Sequence, residues 1–265
     1  MPPEDFPAAH SMDSCWFAVD KDGFVAYFST GESGAMPAVG YAGEDADELH
    51  DVLIRDLPAG DVLHDLRGRA LPGDPLSPQL VAGNYPTIVF LTSLAPVQSD
   101  IEAKRATAVR ASEGYAVVFP RLTADQVRRM TDAGVVVRSD YHSDESEDML
   151  PPLARYGLYE YEHLCENWVA GPYGRYRVPG RPVHIDQLPP AMRTRLKQTL
   201  LADLRFADTV HLQPAEHWEC DSWEPAWLGL DRVVRPFPGR GDDYEELYDM
   251  RADFPGLQFE PPNDE

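Results

Sequence analysis

The stretch CWFAVDKDGFVAYFSTGESG, residues 15–34, decides how this chain of 265 residues is read. Cys15–Asp20 and Phe24–Thr30 are two runs rich in aromatic and β-branched residues. DKDG between them supplies turn chemistry, with Gly23 able to take a positive φ. Trp16, Ala18 and Asp20 alternate with Phe17 and Val19, and Phe24, Ala26 and Phe28 alternate with Val25, Tyr27 and Ser29. Both alternating sets are largely apolar. That predicts an N-terminal β-hairpin that is covered on both sides or lies in the middle of a sheet.

Two motif-like patterns fall inside this stretch, and neither fits the chemistry it suggests. A calcium loop of the EF-hand kind needs glycine at its sixth position between two helices, whereas DKDG brings glycine at the fourth position between two strands. GESGA, residues 31–35, has the outline of a nucleophile elbow. However, Ala35 replaces the closing glycine, and Met36–Pro37 stand where the helix that supplies the oxyanion donor should begin. No phosphate-cradling G-x-x-x-x-G-K or G-x-G-x-x-G occurs in the chain. The stretch reads as architecture.

Outward from the hairpin, EDADELHDVLIRDLP (44–58) predicts a helix with an acidic start, Leu49, Val52 and Leu53 on one face, and Pro58 as its stop. Residues 58–86 are rich in Pro and Gly and read mostly as loop. A strand is expected at Ile88–Leu91 and a short helix over Ser99–Ser112. Residues 114–140 then read as strand–helix–strand. Ala116–Phe119 is the first strand, Thr123 and Gln126 form a capping box, and Leu122 and Val127 form a hydrophobic staple. Gly134 ends the helix, and Val135–Val137 returns as a strand, with the two strands expected as a parallel pair.

Further on, Tyr159, Tyr161 and His163 alternate with Glu160 and Glu162 in a half-buried strand. PPAMRTRLKQTLLADLRF (189–206) predicts a helix carrying Met192, Leu196, Leu200 and Leu204 in line, with Pro190 in its first turn. Another strand is expected near Thr209–Leu212. A last helix over 241–254 is expected, capped by Asp242 and Glu245, with Tyr244, Leu247, Tyr248 and Arg251 on one face, followed by a frayed tail. The fold class expected is α+β: a mixed β-sheet with the N-terminal hairpin and four to five flanking helices. Residues 12–140 form one subdomain and 153–257 a second, joined by the acidic linker or exposed loop 141–152, unless the chain is one continuous domain.

Composition narrows function. Twenty-three Lys and Arg against forty-five Asp and Glu give a net charge of −22. Such a field repels nucleic acid and anionic membranes and speeds encounter with a basic partner. No apolar run approaches the roughly 18 residues of a membrane span. No basic segment precedes an apolar one at the N-terminus, and the three cysteines cannot all pair, so a cytoplasmic location is expected.

Three sets of residues stand out as candidate sites. His163 with Cys165 and His217 with Cys220 could together supply a tetrahedral zinc set. Neither pair has the C-x₂-C spacing, and two residues on one face of a strand are equally two core residues, so buried structural roles are the default. Arg193, Arg195 and Lys197 lie in the one basic stretch, 171–205, which has seven basic and two acidic residues. They could hold a phosphate or a partner, or dock on the chain's own acidic surface. Trp218, Trp223 and Trp227 read as core filling.

No catalytic signature emerges, and no cofactor beyond that possible zinc is implied. The expected function is a non-catalytic interaction module, of immunity or antitoxin-like type, that binds a basic protein partner. The alternatives are an enzyme with a dispersed His/Cys site, with or without a metal, and a phosphate-ligand or nucleotide sensor.

Overall fold

β1 (Ser14–Asp20) and β2 (Val25–Gly31) pair antiparallel in a computed structural model of the chain, with Phe17 opposite Tyr27 and Trp16 opposite Phe28. The structure describes residues 14–31, 33–39, 44–60, 62–65, 68, 71, 87–91, 93–111, 114–120, 123, 126, 137–138, 152–164 and 168–262. The DKDG turn is held by the buried carboxylate of Asp20. Its Oδ1 accepts from the amides of Asp22 at 3.0 Å and Phe24 at 2.9 Å, and its Oδ2 accepts from the amide of Phe206 at 2.9 Å. Gly23 takes φ +87°, and a Cβ there would run into the His184 ring. One aspartate thus closes the turn and ties it to a segment 186 residues away.

The chain is α+β, with a mixed sheet. Its other strands are β3 (Met36–Pro37), β4 (Val62–His64), β5 (Thr87–Leu91), β6 (Thr107–Ala111), β7 (Gly114–Phe119), β8 (Val137–Arg138), β9 (Tyr159–His163), β10 (Val169–Ala170), β11 (Tyr173–Pro179), β12 (Leu200–Leu201), β13 (His211–Leu212), β14 (Cys220–Asp221), β15 (Ala226–Leu228), β16 (Val233–Pro236) and β17 (Gln258–Phe259). The large sheet runs β12-β1-β2-β9-β11-β4-β8-β5-β7-β6, with β13 also on β11. β10-β15-β16-β17 form a small second sheet, and β14 pairs with β3. Strands from both sides of residues 141–152 therefore interleave in one sheet. Of that acidic segment only Pro152 is among the described residues.

Four helices are described: α1 (Glu44–Asp56), α2 (Gln98–Glu102), α3 (Pro190–Leu196) and α4 (Gly241–Asp249). α1 and α3 cover one face of the β1–β2 pair, where Phe17, Val19 and Val25 pack with Leu49, Val52, Leu53, Met192 and Leu196. On the other face Trp16, Ala18, Ala26 and Phe28 pack with Tyr161, Tyr173, Phe206 and Leu212. Trp16 stacks on Phe28 with ring centroids 3.8 Å apart.

Several expectations are corrected. The helix expected over Ser99–Ser112 stops at Glu102. Lys104 takes φ +57°, and Thr107–Ala111 pairs as an edge strand on β7. The helix begun at Pro190 ends at Leu196, because the Thr199 hydroxyl donates to the Phe17 carbonyl at 2.6 Å and turns Leu200–Leu201 into a strand parallel to β1. Val62–His64, inside the segment read as loop, is a strand between β11 and β8.

β7 and β8 are not neighbours, since β5 lies between them and runs antiparallel to each. The Thr123–Gln126 capping box forms, whereas the remainder of the helix expected there, with Gly134, lies outside the described residues. α4 begins at Arg240 with no side-chain cap, so Asp242 and Glu245 do not form one. The tail expected to fray pairs Gln258–Phe259 with β16.

The deepest polar contact joins β11 to the end of β4. Arg175 donates to Asp65 Oδ2 from Nη2 at 2.6 Å and from Nε at 3.2 Å, and its Nη1 donates to the carbonyls of Phe206 and Ala207. Both side chains are almost wholly withdrawn from solvent. Breaking a buried pair strands the remaining charge. Asp65→Ala is therefore expected to cost about 3–5 kcal/mol of unfolding free energy. Chemical denaturation at low and at roughly 1 M salt checks this. A loss under about 1 kcal/mol, or one that disappears in salt, would mean the pair behaves as a surface contact.

Candidate functional site

α4 packs on the small sheet through Tyr244 and Leu247. The Tyr244 hydroxyl donates to the carbonyls of Val234 and Glu260, at 3.2 and 2.6 Å, which fixes the helix over β16 and the final strand. Burial pushes that phenol up to about 12. With the helix so fixed, Asp243, Glu246, Leu247 and Met250 fall at helical spacing along one side. They form one wall of a groove of about 330 Å³, and Trp168, Trp223, Glu224 and Pro225 supply the other wall, with Arg240 also lining it.

Three features of this groove stand out. First, Trp168 is 60% exposed, Trp223 57% and Met250 42%. These are three of the five large apolar side chains left exposed among the described residues, gathered into one place. Secondly, Trp168 holds φ +68°. That left-handed conformation costs a bulky residue on the order of 1–3 kcal/mol and is characteristic of functional positions. Burial of the indole does not offset it. Thirdly, the groove is acidic. Glu224 is half-buried and its carboxyl is raised by desolvation, while Asp243 and Glu246 are exposed. The single cation, Arg240, reaches the Ser222 carbonyl at 3.3 Å and Asp243 at 3.6 Å. An arrangement of indole faces, a thioether and three carboxylates suits a cation carried on an apolar stem.

The described histidines, cysteine and bases singled out in sequence lie elsewhere, whereas Trp223 lines the groove. His163 is buried at the end of β9 against Tyr173, and desolvation holds its imidazole down at about 4, so it is neutral at physiological pH. His217 is half-buried, against the Trp218 ring and 4.0 Å from Asp203. Trp16 and Tyr173 stand in ring contact between Trp218 and His163. Cys220 is half-buried on β14, and Cys165 lies outside the described residues. Among the described residues no three His, Cys, Asp or Glu side chains gather as a metal set.

On α3, Arg193 turns to Asp186 at 3.6 Å. Arg195 lines a separate groove with Asp51 and Arg55, and Lys197 is exposed beyond the helix end. Trp218 and Trp227 are half-buried, but Trp223 is exposed. It sits in the turn after β14, where a side chain leaves the sheet surface, and this corrects its reading as core. Trp168 drew no attention in sequence. Its only signal is a tryptophan among polar neighbours, Glu166 and Asn167, at the entry to a short strand.

If the backbone at Trp168 is strained for the sake of its exposed indole, Trp168→Gly relieves strain without opening a cavity. Thermal unfolding should show a midpoint unchanged or a few degrees higher, as expected for a gain of about 1 kcal/mol. A fall of several degrees would make Trp168 a structural anchor instead. No helix among the described residues is long and apolar enough to cross a membrane. No family model, curated protein or solved structure matches the chain, so the chemistry of the groove is read from its own residues.

Proposed function

We propose that the protein is a non-catalytic binding module that takes a basic segment of a partner protein in the groove between α4 and the Trp168–Trp223 wall. This is the activity of an immunity or antitoxin-like factor that masks a basic target. The observation that carries the reading is the coincidence of exposed tryptophans and carboxylates in one groove. Tryptophan anchors dominate binding energy in protein interfaces. The net charge of −22 raises the rate of encounter with a basic partner, and the groove carboxylates give it a place to dock.

The probe is a hexapeptide of alternating lysine and arginine, with affinity measured by calorimetry at physiological salt. The groove variant Asp243→Asn/Glu246→Gln is expected to bind about tenfold more weakly, since two exposed ion pairs contribute up to about 1.4 kcal/mol together. Asp203→Asn/Asp208→Asn makes the same change of charge at exposed positions outside the groove and is expected to lose less than about twofold. Equal losses in the two variants would reduce the binding to a diffuse charge effect and remove the groove from the account.

A further inference from the structure

We infer that the cation taken by this groove is a guanidinium, the side chain of an arginine on the partner. This rests on the reading of the groove as a site for a basic segment, and adds which basic group it selects. The warrant lies in how the protein satisfies its own arginines. Arg235 lies over the Trp227 ring at 5.2 Å while donating to Asp231 at 2.7 and 3.0 Å and to Glu260 at 2.9 Å. Arg177 lies over the Tyr176 ring at 4.7 Å while donating to Glu160 at 2.8 Å. Each is a triad of aromatic face, guanidinium and carboxylate. Among the described residues the groove is lined by the aromatic rings of Trp168 and Trp223, the carboxylates of Glu224, Asp243 and Glu246, and the guanidinium of Arg240. One arginine against three acids leaves this described lining net negative.

The chemistry separates the three cations that could fill it. A guanidinium is planar and weakly hydrated, so it stacks on an indole while its edge donates to carboxylates. A lysine ammonium is a compact, strongly hydrated point charge that gains less from an indole in a groove open to water. A quaternary ammonium has no N–H to donate. It would offer no hydrogen bond to the Glu224 carboxylate, which is already partly desolvated. Asp243 and Glu246, one helical turn apart, offer acceptors to a forked donor.

The test compares hexa-arginine, hexalysine and hexa(trimethyl-lysine) by calorimetry on the intact protein, on Trp168→Gly/Trp223→Leu and on Asp243→Asn/Glu246→Gln. Circular dichroism verifies that each variant is folded. Hexa-arginine is expected to bind the intact protein at least tenfold more tightly than either of the other peptides. The preference should shrink to within about threefold when the indoles are removed. Equal affinity for arginine and lysine peptides, both weakened by the carboxylate variant, would overturn the guanidinium assignment and leave the groove as a general cation site. A preference for the trimethylated peptide would overturn it in favour of a quaternary ammonium. An arginine preference that survives loss of both indoles would place it outside the groove. Binding of every peptide untouched by either variant would overturn the groove reading itself.

Discussion

Apolar burial on both faces of the β1–β2 pair is the constraint from which the rest of the molecule follows. A hairpin packed on one face can stand at the edge of a protein, but one carrying Trp16 and Phe28 on one side and Phe17 and Val25 on the other must be enclosed. Each large side chain so buried contributes roughly 1.5–3 kcal/mol. Leaving either face bare would forfeit an amount comparable to a typical net stability of about 5–15 kcal/mol. α1 and α3 cover the first face. Tyr161, Tyr173, Phe206 and Leu212, drawn from far along the chain, cover the second. The unpaired edges of the hairpin are closed by β12 on one side and β9 on the other, both running parallel to their neighbours and both from the second half of the chain. Parallel partners demand long crossovers. For that reason the two halves of the chain share one sheet.

Enclosure on this scale decides what the buried charges do. Asp20, Asp65, Glu160 and Arg175 are all withdrawn from water, and each is occupied. Asp20 accepts three backbone amides, Glu160 takes the Ala154 amide and Arg177, and Arg175 joins Asp65 to two carbonyls. The Tyr161 phenol, pushed up by burial, donates to the Thr209 carbonyl at 2.7 Å. His163 is held neutral within the aromatic layer. These groups stitch distant segments across the core. A titratable group so engaged stabilises one arrangement of the chain, and for Tyr161 and His163 the perturbed protonation has a packing cause.

What the sequence made legible follows from the range of each interaction. The β1 and β2 runs, the Leu49–Val52–Leu53 face of α1 and the Thr123–Gln126 capping box are local patterns, and local periodicity reveals them. The end of α3 at Leu196 was hidden because the deciding bond runs from Thr199 to Phe17, 182 residues away. Residues 107–111 carry β-branched Thr107 and Val109, but their strand exists only because β7 lies beside them. The tail becomes β17 because β16 offers an edge and Phe259 packs near Tyr248 and Phe254. The groove was least legible of all. Its aromatic wall joins residues 168 and 223, which no periodicity connects, and tryptophan alone does not announce whether it faces core or water. The α4 wall, by contrast, is written as Asp243, Glu246, Leu247 and Met250 at helical spacing. The apolar periodicity of that helix marks the adjoining face, Tyr244, Leu247, Tyr248 and Arg251, which shares Leu247 with the wall.

Charge and shape therefore answer different questions about this protein. Beyond about 8 Å at physiological ionic strength, individual charges are screened. A net charge of −22 thus raises the rate at which basic surfaces arrive without choosing among them. Choice requires contacts formed at van der Waals distance on a rigid support. The small sheet provides that support. Tyr244 anchors α4 to the carbonyls of Val234 and Glu260, and β10, which follows Trp168 directly, pairs with β15. Both walls of the groove are thereby attached to the same four strands. An indole exposed on a flexible loop would lose side-chain and backbone freedom on binding. One already locked at positive φ has incurred that cost during folding. On the proposed reading of the groove, the strained backbone at Trp168 and the exposure of its ring are one feature: stability surrendered in the free protein so that less is surrendered on binding.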